Sequence, residues 1–249
     1  MIESVKRALN ILSCFTLDQP VLGNADIAEK LGLSRSTTHH LIKTLCNEGI
    51  LIQDVGRKYR LGWKIIEWNN SVMFQHDIYN KALPIVKSLT EQFSGTAHIG
   101  MYDEGEVVIV LKISSNDSES IPTYLGSRQP AYSTSLGKVL LSFNHKYLQE
   151  TISAGLIKQG KNTITKINVL KQELDITRKK GYSISDNENN TSTYAIAAPI
   201  LSYSGETIAS VNLVGSISYM KKINIKQITS SVVNTGRLVS RELGYLDMS

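Results

Sequence analysis

The chain has 249 residues, of which 41% are hydrophobic and 20% charged, and 27 Lys or Arg against 22 Asp or Glu give a net charge of +5. This composition is typical of a globular protein and excludes a disordered or fibrous one. No run of about 18 apolar residues predicts a transmembrane helix, and the first residues lack the apolar core of a secretion signal. Cys14 and Cys46 are too few and too far apart to predict a disulfide framework or a Cys-based zinc site. We therefore expect a soluble protein of the cytoplasm.

The first helix is predicted over residues 4–15, with Ser4 as its N-cap. Its apolar residues recur at three- and four-residue spacing, which is the pattern of an amphipathic helix. The stripe consists of Val5, Ala8, Leu9, Leu12 and Phe15. Pro20 and Gly23 then interrupt the chain before the next helix.

The elements predicted next are helices over 24–31 and 35–48 and strands over 50–54 and 58–61. Gly32 stands where a helix ends in a left-handed turn, and Ser34 is placed to cap the third helix. Residues 55–57 form a tight hairpin turn between the two strands. Two helices, a turn, a third helix and a hairpin in this order predict a winged helix-turn-helix.

The rest of the chain mixes helices and strands. A helical stretch over 62–80 leads to a helix predicted over 82–93, with Pro84 in its first turn. The further predicted elements are strands over 96–102, 106–113, 182–185, 194–202 and 207–214, and helices over 135–143, 145–154, 167–180 and 224–243. This order indicates an α+β fold with a central, largely antiparallel sheet.

The positive charge is concentrated near the N-terminus. Residues 1–64 hold nine Lys or Arg and six Asp or Glu, whereas residues 65–249 hold 18 and 16. Because the basic residues coincide with the third helix and the hairpin, they predict a surface for double-stranded DNA. The candidate contacts are Arg35, Ser36, Thr37, His39, His40, Lys43, Arg57, Lys58 and Arg60.

Several ordered motifs resemble the IclR family of bacterial transcriptional regulators. In the first part they are SVKRALNILSCF (4–15), LGLSRSTTHHLIKTLCNEGIL (31–51) and YRLG (59–62). In the second part they are GSRQPAYSTSLGKVLLS (126–142), NTITKINVLKQELDITRKKGYSISDNE (162–188) and IAAPI (196–200). The resemblance implies a winged helix-turn-helix over 1–62, a linker helix over 63–80, and an effector-binding and oligomerisation domain over 81–249 that is related to GAF and PAS sensors.

The resemblance also implies a mechanism. Such proteins form homodimers, in some cases dimers of dimers, and bind roughly palindromic operators. A small metabolite, commonly a carboxylate or sugar acid, enters the second domain and changes operator affinity; a repressor is favoured over an activator. When the pocket positions of the family are carried over to this chain one by one, the effector residues are Ser133, Ser135, Leu136, Ser185, Asp186, Thr193, Ala195, Asn212 and Val214. Because Ser135 opens a predicted helix, nearby N–H groups can hold a carboxylate.

Two departures from the family pattern concern these sites. Members often have Arg where this chain has His40, and often have Gly where this chain has Ser192, four residues after Glu188. The first departure leaves the operator sequence open, and the second affects a loop that borders the expected pocket.

Two other functions are weighed against this one. Residues 135–138 and 185–187 match the Ser-x-x-Lys and Ser-Asp-Asn patterns of penicillin-recognising acyl-transfer enzymes. The third element, Lys-Thr-Gly, has only Asn234-Thr235-Gly236 as a counterpart, inside a predicted helix. No phosphate loop or zinc-binding helix is present, so we expect no cofactor, no metal and no enzyme. A sensor module regulated by protein partners instead of a metabolite stays open.

Overall fold

The computed structural model describes residues 1–75, 77–189 and 192–246. The chain divides into two compact units, the first ending at residue 76 and the second beginning at Asp77. Residues 190 and 191, in the loop that departs from the family pattern after Glu188, lie outside the described residues. No helix within the described ranges is long and apolar enough to cross a membrane.

The first unit is a winged helix-turn-helix, as predicted. Its elements within residues 1–75 are α1 (Glu3–Ser13), β1 (Leu22–Gly23), α2 (Asn24–Leu31), α3 (Arg35–Asn47), β2 (Leu51–Gln53), β3 (Lys58–Leu61) and α4 (Lys64–Gln75). The strands pair antiparallel in the order β1-β3-β2. Ile11, Ile27, Ile42, Leu51 and Tyr59 meet in the core that holds the three helices and the hairpin together.

Local signals set the end of α2 and the start of α3 where the sequence predicts. Gly32 has the left-handed φ of 63° that a residue with a side chain rarely adopts, and it ends α2. The Ser34 hydroxyl accepts a hydrogen bond from the Thr37 backbone N–H at 3.1 Å, so Ser34 caps α3.

The prediction for α1 was wrong in its N-cap and in its end, because the helix stops at Ser13 and not at residue 15. The helix begins at Glu3 with Ile2 at the N-cap position and no side-chain cap, so Ser4 lies inside it. Val5 and Leu9 are more than half exposed, because the buried face of the helix is centred on Ile11 instead. The apolar stripe of α1 therefore has one part in the core and another part on the surface of the unit.

The second unit is an α+β domain with an antiparallel sheet, as predicted. Within residues 77–189 and 192–246 its strands are β4 (Thr96–Asp103), β5 (Glu106–Ser114), β6 (Arg128–Pro130), β7 (Ser183–Asp186), β8 (Thr193–Leu201) and β9 (Thr207–Ser216). They form one antiparallel sheet in the order β6-β5-β4-β9-β8-β7. Its helices over the same ranges are α5 (Asp77–Gln92), α6 (Ser135–Phe143), α7 (His145–Ala154), α8 (Ile167–Lys180), α9 (Ile217–Met220) and α10 (Ile225–Glu242).

The sheet has a different neighbour on each face because strand side chains alternate. In β9, Val211 and Leu213 join the core formed with α5 and α10. Asn212 and Val214 therefore point to the other face, on which α6 packs. Polar side chains on this second face are buried between the sheet and α6 and line a cleft.

Pro84 does not lie in a first turn. It is inside α5, which begins at Asp77, five residues before the predicted start. The elements β1, β6, α9 and a 3-10 turn over Ala131–Ser133 were not predicted from the sequence, and all are short. Such short elements carry too few residues for a periodic pattern to be recognised.

Candidate functional site

The exposed side of α3 carries hydroxyl, imidazole and cationic groups. Thr38, Ile42 and Leu45 are buried and hold the helix on the core of the unit. The exposed side chains away from the core include Arg35, Ser36, His39, His40 and Lys43. No acidic residue occurs between Arg35 and Asn47, so this surface is suited to a phosphate backbone.

The hairpin presents three more basic residues. Tyr59 is buried, so Lys58 and Arg60 on either side of it in β3 point to solvent. Arg57 is at the turn with a left-handed φ of 57° and is also exposed. Arg60 differs from the other two because its Nε lies 3.2 Å from Asp54 Oδ1, which neutralises part of its charge.

All nine predicted DNA contacts therefore belong to the first unit. Eight of them are exposed, and Thr37 is half-buried. The Thr37 hydroxyl accepts a hydrogen bond from the Ser34 hydroxyl at 2.8 Å, which commits it to the capping turn of α3. Thr37 is consequently the member of the set that is least accessible to a nucleic acid.

A cleft in the second unit lies beside the first turn of α6. It encloses about 530 Å³ of atom-free space, including the solvent at its mouth. Only about 60 Å³ of this space can be reached by the centre of a water-sized sphere, so the enclosed part of the cleft is small. The residues that line it, among those described, are all uncharged: His98, Ile109, Ile121, Pro122, Thr123, Gln129, Thr134, Ser135, Leu136, Ser185, Asn189, Thr193, Ala195, Asn212 and Val214.

One end of the cleft is the N-terminus of α6. Thr134 caps the helix, and its hydroxyl accepts from the Gly137 backbone N–H at 3.1 Å. The N–H groups of Ser135 and Leu136 belong to the first turn, where a helix offers them no carbonyl acceptor. The Ser135 hydroxyl is buried and has no hydrogen-bond partner among the described residues. A helix N-terminus with an unpartnered hydroxyl is suited to an anionic oxygen group.

The α6 helix approaches the preceding 3-10 turn very closely. A Cβ atom added at Gly137 would lie 2.1 Å from the Ala131 carbonyl oxygen and 2.4 Å from Ala131 Cα. Only glycine fits here, because both neighbouring atoms belong to the backbone and cannot rotate away. Gly137 thus sets the position of the helix N-terminus at the cleft.

The other end of the cleft is formed by His98, Asn212 and Thr123. Asn212 Oδ1 lies 3.0 Å from the His98 backbone nitrogen and 3.1 Å from His98 Nδ1. His98 Nε2 lies 2.7 Å from Thr123 Oγ1. Burial lowers the pKa of the His98 imidazole to about 4, and the nearby Lys112 ammonium contributes in the same direction. The ring is therefore neutral at ordinary pH.

A buried ion pair lies behind the first turn of α6. Lys138 Nζ is 2.6 Å from Glu188 Oε1 and 3.3 Å from Glu173 Oε1, and it also donates to the Ile184 carbonyl oxygen. Lys138 is fully buried, and burial raises the pKa of the Glu188 carboxyl above its ordinary value. Because the Lys138 ammonium is directed to these oxygens and Ser135 has no partner, the two residues do not form the Ser–Lys pair of an acyl-transfer enzyme.

Seven of the nine predicted effector residues line the cleft, and Ser133 and Asp186 do not. Ser133 is fully buried in the 3-10 turn, where its hydroxyl donates to the Pro130 carbonyl oxygen at 3.2 Å. Asp186 follows Ser185 in β7 and therefore points to the opposite face of the sheet. It pairs there with Lys221 at 2.8 Å.

Sequence reasoning missed eight residues of the cleft, of which His98, Thr123, Gln129 and Asn189 are the most polar. His98 could have been found from strand register, because it is directly opposite the predicted residue Asn212. Asn189 donates from Nδ2 to Gln129 Oε1 at 3.1 Å, and no sequence pattern signals this pair.

Comparisons with known proteins agree with this division into two units. Residues 4–55 match the IclR helix-turn-helix domain, and residues 70–241 match the C-terminal domain of bacterial transcriptional regulators of the IclR type. The chain is 31% identical to the HTH-type transcriptional regulator XynR of Escherichia coli, with 98% of each chain covered. It is also 31% identical to the p-hydroxybenzoate hydroxylase transcriptional activator of Acinetobacter baylyi, over 98% of this chain and 92% of that one.

A solved structure with the same fold is that of an IclR homolog from Microbacterium hydrocarbonoxydans complexed with 4-hydroxybenzoate. It matches with a TM-score of 0.87 and 21% identity over 96% of this chain and 98% of that chain. The curated relatives are transcriptional regulators and not enzymes. The chain belongs to the IclR family of bacterial DNA-binding transcriptional regulators.

Proposed function

We propose that this chain is a repressor whose affinity for operator DNA changes when a small carboxylate or sugar acid binds in the cleft. In this proposal residues 1–62 bind DNA, residues 63–80 form a linker, and residues 81–249 bind the effector and form the oligomer. The proposed DNA contacts are Arg35, Ser36, Thr37, His39, His40, Lys43, Arg57, Lys58 and Arg60. The proposed effector contacts are Ser135, Leu136, Ser185, Thr193, Ala195, Asn212 and Val214.

The observation that carries the effector proposal is the buried, unpartnered Ser135 hydroxyl at the N-terminus of α6. A buried polar group without a partner is costly, and a bound carboxylate oxygen would remove this cost. The first-turn N–H groups would donate to the same oxygen atoms. The 4-hydroxybenzoate bound by the relative from Microbacterium hydrocarbonoxydans is a small acid of the proposed kind.

The exposed apolar residues of the first unit support a homodimer. On α1 the exposed residues are Val5 and Leu9, preceded by Ile2, and on and before α4 they are Trp63, Ile66, Trp68 and Val72. Large exposed apolar side chains of this density mark protein–protein contacts. A twofold dimer would present two α3 helices to a palindromic operator. Sedimentation equilibrium is expected to give the mass of a dimer or of a dimer of dimers, and a monomer at micromolar concentration would contradict this part.

Repression is proposed because a dimer that covers two half-sites blocks a promoter by occupancy alone, without a contact to the polymerase. The relative from Acinetobacter baylyi is an activator, so the direction of control needs a direct measurement. As a regulator of chromosomal genes, the protein would act in the cytoplasm. In vitro transcription from a promoter that overlaps the bound site is expected to fall when the protein is added, and a rise would assign activation.

The proposed DNA contacts are tested with genomic fragments that the purified protein retains. The double substitution R35A/K43A is expected to weaken binding of such a fragment at least tenfold in a gel shift, because two phosphate contacts are lost. The matched control is K171A/K179A, which removes two exposed cations from α8. Equal binding by both double variants would contradict the proposed role of α3.

The effector arm adds small carboxylates and sugar acids to the same complex. At least one acid is expected to change the fraction of DNA that the protein retains. The S135A variant is expected to lose most of this response while keeping its affinity for DNA. S142A is the control on the same helix, because Ser142 is buried and its hydroxyl already donates to the Val139 carbonyl oxygen at 2.7 Å. If no acid changed the retained fraction, regulation by a protein partner would replace the effector proposal.

A further inference from the structure

A second cavity lies between β8 and α10, the helix that packs on the face of the sheet opposite to α6. It encloses about 570 Å³ of atom-free space, including the solvent at its mouth, and the centre of a water-sized sphere can reach about 190 Å³ of it. The corresponding reachable space in the cleft beside α6 is about 60 Å³. The described residues that line the cavity, none of which lines the cleft, are Gly181, Ala198, Pro199, Leu201, Val233, Arg237, Ser240, Arg241 and Tyr245.

Backbone contacts fix the walls of this cavity. A Cβ atom added at Gly236 would lie 2.6 Å from the Pro199 carbonyl oxygen, so glycine is required for α10 to approach β8 this closely. Beyond the end of α10, Gly244 has a left-handed φ of 91°, and the Tyr245 backbone N–H donates to the Ser240 carbonyl oxygen at 2.9 Å. This is the hydrogen bond of a Schellman turn, which folds the chain back along the helix. The walls are therefore held in place without a ligand.

The interior of the cavity is mostly apolar. Its one buried hydroxyl belongs to Ser240, which donates to the Gly236 carbonyl oxygen at 2.7 Å and accepts from the Leu201 backbone N–H at 2.8 Å. The lining residues from β8, and Val233 of α10, are apolar. Because the Ser240 hydroxyl has given its only hydrogen to the helix, the interior is suited to the hydrocarbon part of a ligand.

The rim of the cavity is positively charged. Arg237 and Arg241 lie one turn apart on α10 and are exposed, and no acidic residue is among the described residues of the lining. The Arg241 guanidinium has no hydrogen bond or ion pair with any residue that the structure describes. Lys179 and Lys180, directly before the lining residue Gly181, add positive charge nearby. A guanidinium has only donors, and its planar fork can hold a carboxylate by two hydrogen bonds.

We propose that this cavity is a second ligand site, which takes an apolar monocarboxylate with its hydrocarbon part between α10 and β8 and its carboxylate on Arg241. An uncharged alcohol would offer the guanidinium no anion, and a second carboxylate would place a charge against the apolar wall. The site differs from the cleft beside α6, where the described lining offers an anion only uncharged dipoles. The proposal goes beyond the effector function and does not depend on it.

The test measures dissociation constants of the full chain by calorimetry. The probes are octanoate, butanoate, 1-octanol and octanedioate. Octanoate is expected to bind saturably, and each of the other three is expected to bind at least about tenfold more weakly. The reasons are that butanoate covers less of the apolar wall, 1-octanol lacks the charge, and octanedioate buries a carboxylate. Equal binding of 1-octanol, or no binding of octanoate, overturns the proposal.

Variants show which cavity holds octanoate. R241Q is expected to weaken octanoate binding about tenfold because the charge-assisted hydrogen bonds are lost, and V233F to weaken it similarly because the added ring fills the cavity. The controls on the same helix are K226Q and L238F, since Lys226 and Leu238 are exposed and do not line the cavity. S135A, which removes a hydroxyl from the cleft beside α6, is expected to keep the wild-type affinity for octanoate. Thermal unfolding of each variant is measured alongside.

The outcomes separate the possible occupants of the cavity. Wild-type octanoate affinity in R241Q and V233F, together with a loss of affinity in S135A, would place octanoate in the cleft beside α6 and overturn the proposal. A changed oligomer mass of V233F in sedimentation equilibrium, without octanoate binding to the wild type, would assign the cavity to a contact between copies of the chain and overturn it as well. Weaker binding in both cavity variants with wild-type affinity in S135A supports the second site, whether or not any acid changes DNA binding.

Discussion

The proposed DNA surface and the proposed effector cleft of this protein handle negative charge in opposite ways. The α3 helix and the hairpin expose Arg35, Lys43, Arg57 and Lys58 to solvent. The cleft in the second unit offers hydroxyl, amide and backbone N–H groups, and its described lining contains no charged side chain. The net positive charge of the first 64 residues reflects only the first of these surfaces.

The difference follows from what each surface has to bind. A DNA duplex carries a dense row of phosphates, and exposed cations attract it from a distance and release its counterions. The small acid proposed for the cleft would be enclosed, and a buried cation beside it would itself need a partner. The protein shows this with Lys138, the buried cation next to the cleft, which is paired with Glu188 and Glu173. Fixed dipoles at the α6 N-terminus avoid this requirement.

The largest expected effect comes from breaking that buried pair. K138M leaves the carboxylates of Glu188 and Glu173 without their cation, and it is expected to destabilise the second unit by about 3–5 kcal/mol. K64M breaks the exposed Lys64–Glu67 pair of the first unit, which measures 2.5 Å, and is expected to cost about 1 kcal/mol or less. Hydrogen exchange of β9 peptides in denaturant measures the first effect, and tryptophan fluorescence from Trp63 and Trp68 measures the second. Equal costs would contradict the contrast between the two regions.

The buried His98 imidazole predicts a pH dependence in the second unit. Its pKa is about 4 when folded and about 6.5 when unfolded, so the unfolded state binds more protons between these values. The stability that this group contributes is fully present above pH 6.5 and is lost as the pH falls, by about 3 kcal/mol at pH 4. Wild type is therefore expected to lose this much more stability than H98Q between pH 7 and 4. If the pH profiles of hydrogen exchange in β9 peptides were parallel in the two proteins, His98 would not be the cause of the loss of stability.

A smaller effect is expected from the close approach of α6 to the 3-10 turn. G137A forces a Cβ against the Ala131 carbonyl oxygen and is expected to cost about 2 kcal/mol, and acid binding should weaken with it. The control is G56A in the hairpin, where an added Cβ meets no atom within 4 Å. Thermal unfolding and calorimetry check both variants. A G137A protein that is as stable as wild type would mean that the helix can move without cost.

Most of the fold could be predicted because its elements are long and regular. The helices α6, α7 and α8 have the predicted bounds. The alternation of buried and exposed side chains around Tyr59 and the N-cap at Ser34 depend only on neighbouring residues, so the sequence shows them directly. For α1, the amphipathic pattern gave the position of the apolar stripe but not its burial. Val5 and Leu9 are apolar and exposed, and the proposed homodimer would cover them.

The site was predicted in part, for reasons of topology. Ser135 and Asn212 are distant in sequence, and the family resemblance, not a local pattern, brought them together. Asp186 was misplaced because neighbouring strand residues point to opposite faces, so a stretch of sequence near a pocket supplies only alternate side chains. His98 and Thr123 were missed because their role depends on strand register and on a loop held by Lys112.

The most direct test of the contrast between the two proposed surfaces is the salt dependence of DNA binding and of acid binding, both measured on one preparation of the protein. Between 0.05 and 0.5 M salt, the logarithm of the operator association constant is expected to fall with the logarithm of the salt concentration, with a slope of about −0.9 per phosphate contact. In R35A/K43A this slope is expected to be shallower by about two. Over the same range, the dissociation constant of the small acid that binds most tightly in the cleft is expected to change less than about threefold, because the dipoles that would hold it are buried from the ions. A steep salt dependence of acid binding, or a DNA slope unchanged in R35A/K43A, would contradict the account.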